Sequence, residues 1–387
     1  MIKKFTNEYQ MYKNEKGLEI LEISNGIILP RKYSEEAPNW GLGGVCDQEN
    51  VFVKTSEYHG GWAEHGGVYN WGKEEYIDEE VIYFGLFFNH WGHFLVDLIG
   101  RLWYYVKNNV AVKYKLAYIG EDEPGGNFCE FFELLGIRSE QLIHVTVPTR
   151  FRKVVIPEVS CRPCIWYTKE FQSIFDSIVD RVKKTGYIPV GFEKCNKVYF
   201  SRLGFKKAQN TEVGEKLIAR WLEINGYQLI SPEKLSLRDQ IYIWNHAKEI
   251  VCLNGTIPIN VAFSQNSNLK LIVLNKTSLV HKNLDLFLLM RKCNVSILDV
   301  YYEPFKKYPK SIGEGPFLIH ITKDIEQFSQ AHHMDMPFSR IFLRKEFVLN
   351  YVRLVWCIWN LKGRIRMITA KLCPVFIKEK IRKVVRK

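Results

Sequence analysis

The stretch "KVYFSRLGFKKAQNTEVGEKLIARWLEINGYQLISPEKLSLRDQIYIWNHAKEIVCLNGT", Lys197 to Thr256, alternates short β-rich runs with amphipathic ones. KVYFSR reads as a strand. TEVGEKLIARWLEING places Leu217, Ile218, Trp221 and Leu222 on one helical face, with Gly226 as the C-terminal stop. YQLISP is a second strand. Ser236 opens a helix over LRDQIYIWNHAK, with Asp239 at the capping-box position. EIVCL is a third strand, followed by the NGT turn, a short helix over IPINVAFS and the strand LKLIVLN. This βαβαβ series predicts a doubly wound α/β sheet, whose ligands sit beyond the carboxyl ends of its strands. Those ends are Ser201-Arg202 and Asn254-Gly255-Thr256.

The residues at these ends suit an anion. Gly255 can take a positive φ, and the amides around Thr256 would point at a phosphate; a plain helix cap is the competing reading. Arg202, with Lys206 shortly after it, supplies cations suited to a diphosphate.

Upstream, "FGLFFNHWGHFLVDLIGRLWYYVKNN", Phe84 to Asn109, joins a strand to a predicted helix. Trp91, Phe94, Leu95, Leu98, Leu102, Tyr105 and Val106 form its buried face, and His90, His93, Asp97 and Arg101 an adjoining polar stripe. His90 and His93 have the spacing of a metal pair, but no third ligand stands out, so no metal is expected. The stripe suits His93 as a general base with Asp97 orienting it; an ion pair of Asp97 with Arg101 is the alternative. KYKLAYIGED (113–122) and RKVVIPEV (152–159) read as further strands, and residues 36–80, rich in Gly, Asn and Trp, as short strands and loops.

At 387 residues the chain can form two domains, and its composition (47% hydrophobic, 25% charged) is that of a globular protein. The opening MIKKFTNEYQMYKNEKG has no apolar h-region, which sets aside the glycosylation sequon at Asn254. Nine scattered cysteines suit a reducing compartment, with Cys161 and Cys164 in a local turn, and a cytoplasmic location is expected. The net charge of +12 is concentrated at the C-terminus: residues 347–387 hold eleven Lys or Arg against one Glu, leaving 43 bases and 41 acids elsewhere. No nucleic-acid partner is therefore expected. The tail is basic and amphipathic, which suits an anionic membrane surface; Phe347–Leu361 is expected to pack on the body, with the membrane-facing part beyond Lys362.

Together these segments resemble glycosyltransferase family 61, including its bacterial members of capsular polysaccharide synthesis. The family's Gly-His-x-x-x-Asp signature with a following Arg corresponds to Gly92, His93, Asp97 and Arg101. Its strand ending in Ser-Arg, followed by a basic residue and an Asn, corresponds to Ser201, Arg202, Lys206 and Asn210, with Thr211 where the family has Glu. The run GYQLISPEKLSLRDQIYIWNHAKEIV is similar to a third block, with Gln240 and Ala247 in place. The family's His-Gly-Ala…Asn is here Asn254, Gly255, Thr256 and Asn260, without the His. The resemblance implies a GT-B architecture of two Rossmann-like domains facing a cleft: an acceptor domain over residues 1–185, a nucleotide-sugar domain over 186–310, and a C-terminal extension of basic amphipathic helices over 311–387. It implies inverting transfer of a sugar, from a UDP-sugar by preference, to a glycan or lipid-linked glycan acceptor; the basic tail suits the inner face of the plasma membrane, and without an Asp-x-Asp motif no metal or other cofactor is expected. His93 and Asp97 would be catalytic. Arg202, Lys206, Gln240, Asn254, Gly255, Thr256 and Asn260 would hold the donor, and His90, Arg101 and Ser201 would line the cleft. A non-catalytic scaffold binding nucleotide or glycan is the alternative.

Overall fold

The computed structural model describes residues 17–108, 114–209, 211–279 and 282–359. The expected strands of the second half form one parallel sheet, in the order Gln228–Ile230, Lys197–Phe200, Glu249–Leu253, Lys270–Asn275, Asn294–Asp299. These strands are nearly continuous apolar runs, as a sheet covered on both faces requires; Val198, Tyr199, Ile250, Val251 and Val273 are fully buried. Helices Glu215–Ile224 and Leu237–His246 make the first two crossovers. The Ser236–Asp239 capping box is present, with the Ser236 hydroxyl accepting from the Asp239 N–H at 3.1 Å and the Asp239 carboxylate accepting from the Ser236 N–H at 3.1 Å. Strand order reverses between Lys197–Phe200 and Glu249–Leu253. The carboxyl ends that flank this switch point are Ser201-Arg202 and Asn254-Gly255-Thr256.

The first half builds a mixed sheet in the order Leu42–Cys46, Ile27–Lys32, Thr149–Pro157, Glu75–Phe87, Lys115–Gly120, Leu142–His144, with Ile20–Ser24 also antiparallel on Thr149–Pro157. The long strand Glu75–Phe87 is parallel to both its neighbours and delivers the chain to His90. The three strands expected from periodicity are present. The antiparallel strands at 20–32 carry no comparable signal, because their pairing depends on Thr149–Pro157, more than a hundred residues away.

The two sheets share packing. Helix Lys169–Lys184 buries Phe171, Ile174, Phe175 and Ile178, and the rings of Phe131 and Phe175 both pack on Phe263 of the second half. Glu130 accepts from the N–H groups of Leu237 (2.7 Å) and Arg238 (3.2 Å), so a first-half carboxylate sits at the N-terminus of a second-half helix. The Cys164 thiol, in the turn of a small hairpin as expected for the Cys161/Cys164 pair, reaches Asn283 at 3.0 Å.

Residues 311–358 are woven into the second half. Phe317–Ile319 pairs in parallel with Glu212–Val213 and antiparallel with Tyr301–Tyr302, so the expected boundary at 310/311 falls inside a sheet. Helix Lys323–Ala331 buries Ile325 and Phe328 beside Trp221 and Leu222. Helix Arg340–Ile358 docks by a narrow seam: Asn350 and Leu354 are its only fully buried side chains, and Leu354 meets Val213 and Leu318. The expected packing over Phe347–Leu361 is thus partial as far as residue 359. The basic sequence beyond it, and Asn210, lie outside the described residues.

Candidate active site

The segment after His90 is not one regular helix. Trp91–His93 forms a first α-turn, Phe94–Leu98 a π-helical turn closed by the Ile99 N–H on the Phe94 carbonyl, and Ile99–Arg101 a 3₁₀ turn. The i→i+5 turn followed by a tight one rotates the later residues away from the register of a straight helix. The expected polar stripe therefore divides. His90 is exposed and acts as N-cap, its Nδ1 accepting from the His93 N–H at 3.3 Å. His93 and Asp97 meet, Nδ1 to Oδ2, at 2.7 Å. Arg101 turns behind them into the protein.

The His93–Asp97 pair is asymmetric in exposure. The His93 side chain is 34% exposed and that of Asp97 0%, so only the imidazole can reach a substrate. The Tyr58 hydroxyl donates to the other Asp97 oxygen. Burial raises the Asp97 pKa, and the hydrogen bonds from His93 and Tyr58 oppose that shift. Burial, the Asp97 charge and the bond to Asp97 all raise the Tyr58 pKa, so the phenol stays protonated and donates. With Asp97 ionised and accepting from Nδ1–H, the His93 Nε2 carries the lone pair of a base.

Arg101 completes this support instead of pairing with Asp97. Its guanidinium is buried and donates to the carbonyls of Thr55 (2.7 Å) and Glu57 (3.0 Å), which flank the loop leading into Tyr58. The motif's Arg thus fixes the loop whose Tyr fixes the motif's Asp, which in turn fixes the His. Trp40, Trp62 and Phe88 surround His93 at ring-centroid distances of 5.4, 6.3 and 5.6 Å. Trp40 also stacks on Tyr58 at 5.1 Å. Trp62 is partly exposed, so apolar ring surface borders the imidazole.

Gly92 joins this region to the switch point. A Cβ there would lie 3.1 Å from Thr256 Oγ1 and 3.4 Å from Thr256 Cγ2, so the glycine lets the second-half turn approach closely. Beside it, Trp91 Nε1–H donates to Asn260 Oδ1 at 2.8 Å. Gly255 has φ +149°, a conformation that favours glycine. Thr256 stands at the N-cap of the 3₁₀ helix Ile257–Phe263 without a side-chain capping bond.

Beneath the turn lies a buried charge cluster. Lys276 Nζ, 3.8 Å from a Cβ built on Gly255, donates to Glu212 Oε1 at 2.7 Å. Arg202 Nε donates to the other Glu212 oxygen at 2.9 Å. Glu215 Oε1 accepts from the Tyr199 hydroxyl (2.9 Å), the Ser201 hydroxyl (3.1 Å) and the Arg202 N–H (2.7 Å). Burial raises the Glu215 pKa and lowers that of Lys276, the latter opposed by Glu212. Two cations thus share one carboxylate, and burial favours the neutral form of Glu215.

The other expected site residues of the second half, Lys206 excepted, have internal partners. Ser201 is buried on Glu215. Gln240 donates to the carbonyls of Pro232 (3.1 Å) and Leu235 (3.4 Å), bracing the loop after strand Gln228–Ile230. Asn260 is buried, accepting from Trp91 and donating to the Ile257 carbonyl at 3.0 Å. Asn254 donates to Asn275 at 2.8 Å, which donates to Asp299 at 2.9 Å. Lys206 is exposed at the start of helix Lys206–Gln209. Sequence reading missed Tyr58, Glu212, Glu215 and Lys276. Lys276 was within reach of the rule already in use, since it follows the strand LKLIVLN at its carboxyl end; Glu212 stands one residue beyond the Thr211 that replaced the family's Glu.

The helical segment that carries His93 thus lies against the switch point of the parallel sheet. The family model for glycosyltransferase 61 matches residues 91–271, from the Gly-His motif into the fourth strand of the parallel sheet. Through this region the chain is similar to glycosyltransferase family 61, which supports a sugar-transferase activity. No curated protein matches the chain.

Proposed function

We propose that the protein transfers a sugar, with inversion at C1, from a nucleotide-sugar donor, a UDP-sugar by preference, to a growing cell-surface or capsular glycan, acting from the cytoplasmic side of the membrane. The observation that carries this reading is the contact of Gly92 with Thr256, which puts a buttressed imidazole beside the turn above the Arg202–Glu212–Lys276 cluster. This arrangement is compatible with a GT-B cleft, with the acceptor on the aromatic side and the donor on the cationic side.

The chemistry follows from the groups at hand. An acceptor hydroxyl gives its proton to His93 Nε2 as its oxygen attacks C1 of the donor sugar. The bond from C1 to the diphosphate oxygen breaks on the opposite face, and the nucleoside diphosphate leaves with the electron pair. A positioned base contributes about 10²–10⁴-fold to such a step. Arg202, Lys206, Lys276 and the amides of Gly255 and Thr256 are the groups we assign to the departing diphosphate, whose charge grows in the transition state. Trp62 and Trp40 offer apolar ring surface to the acceptor sugar.

The test is a panel of UDP-, GDP-, CMP- and dTDP-sugars, assayed for binding and slow hydrolysis in EDTA and in Mn²⁺. Saturable binding of one donor with turnover in EDTA is expected. Turnover only with Mn²⁺ would overturn the metal-free form of the reading. Absence of binding by every donor under both conditions would overturn the transferase reading and favour a scaffold.

A further inference from the structure

Helix Arg340–Ile358 leaves one apolar face uncovered. Ile341, Val348, Leu349, Val352 and Trp356, with Trp359 just after the helix, are all exposed, from 42% for Leu349 up to 82% for Ile341. Their positions recur at helical spacing and fall on one face, opposite the Asn350–Leu354 seam that docks the helix. Arg344 and Arg353 are exposed on either side of this stripe, and Lys345 lies within it. Glu346 is the sole acid of the helix. The sequence that follows, residues 360–387, holds ten Lys or Arg against one Glu. Among the described residues no helix is long and apolar enough to cross a membrane.

We propose that this face seats the protein on an anionic phospholipid bilayer. The helix lies along the surface, its aliphatic stripe in the headgroup boundary. Trp356 and Trp359 sit at headgroup level, and Arg344, Lys345 and Arg353 at phosphate depth. Tryptophan and cations flanking an apolar stripe are what such a boundary accommodates, because each ring offers apolar area and one N–H. Charge selects this occupant over a second copy of the chain. A two-fold contact would bring the same three cations against their own copies with almost no acid to offset them, whereas lipid phosphates neutralise them.

The experiment is co-sedimentation of the full chain with vesicles of phosphatidylcholine alone and of phosphatidylcholine with phosphatidylglycerol, at low and high salt. Expected is partitioning onto the phosphatidylglycerol vesicles that weakens with salt and falls by at least about tenfold in the double variant Val352→Glu/Trp356→Glu. Both side chains are exposed, so its circular dichroism should match the parent's. Equal partitioning of parent and variant, no preference for phosphatidylglycerol, or no partitioning at all would overturn the proposal. So would a dimer, seen by light scattering without vesicles, that the same substitutions dissolve.

Discussion

The two sides of the candidate active site are built on opposite plans. On the second-half side, regular parallel strands deliver Arg202, Gly255 and Lys276 to the carboxyl end of a sheet, where a local rule about strand ends points to Arg202 and Gly255. On the first-half side, the helical segment is broken into α, π and 3₁₀ turns, and its chemistry is held by a loop more than thirty residues upstream. The difference teaches that strand topology can gather cations that a single buried carboxylate then holds, while a base needs a chain of side-chain supports. A diphosphate has several oxygens and accepts cations from many directions. An imidazole must present one nitrogen to one proton.

This contrast can be broken by experiment. The largest effect should come from His93→Ala, which removes the proposed base: transfer should fall by about 10²–10⁴-fold with donor affinity retained. Steady-state rates with a donor-binding titration check it, and full activity would remove His93 from the mechanism.

On the cationic side, Lys276→Met should affect binding and folding together. It leaves Glu212, buried on Arg202, without its second cation, and breaking a buried pair typically costs about 3–5 kcal/mol. Urea unfolding should show this loss, and the double variant Glu212→Gln/Lys276→Met should recover much of it, while both variants bind donor more weakly than the parent. Unchanged donor affinity in either variant would limit Lys276 to a structural role.

A smaller effect is expected of Tyr58→Phe, which deletes one of the two side-chain bonds to the buried Asp97, a loss of about 1–3 kcal/mol. The sign of its pH effect is fixed. The Tyr58 bond lowers the Asp97 pKa against the upward push of burial, so its removal raises that pKa further. Asp97 then ionises only at higher pH, and the rising limb of the kcat/KM profile should move to higher pH. A uniform drop with no displacement would mean that Tyr58 acts only on the loop.

The smallest effect joins the two sides. Gly92→Ala puts a methyl 3.1 Å from Thr256 Oγ1, so the turn must yield by a few tenths of an ångström, and kcat/KM should fall by about tenfold or less. Thr256→Ala removes the two atoms nearest the methyl and leaves His90 Cε1 at an ordinary 3.5 Å, and the double variant should regain activity relative to Gly92→Ala. Additive losses in the two variants would mean that the contact does not couple the sides.

Much of the second half was legible in advance. Its strands are buried apolar runs, its helices amphipathic with Ser236 and Asp239 in a local capping box, and each of these signals lies within a few residues of the structure it specifies. The pairing of His93 with Asp97 was legible for the same reason, being a contact four residues apart. Unreadable were Tyr58 on Asp97 and Lys276 on Glu212, contacts separated by 39 and 64 residues. The sequence also read Arg101 as part of a cleft-lining stripe; the π and 3₁₀ turns turned it inward, where its guanidinium satisfies the carbonyls of Thr55 and Glu57.

By itself, then, the sequence determined the α/β alternation, the strand ends that flank the switch point and the motifs that resemble the matching family, because periodicity, capping and turn chemistry are short-range. Only the tertiary structure decided which oxygens and nitrogens of those motifs face inward. A buried carboxylate or guanidinium must find its partner wherever the chain brings one, and that choice is made by packing across the whole molecule.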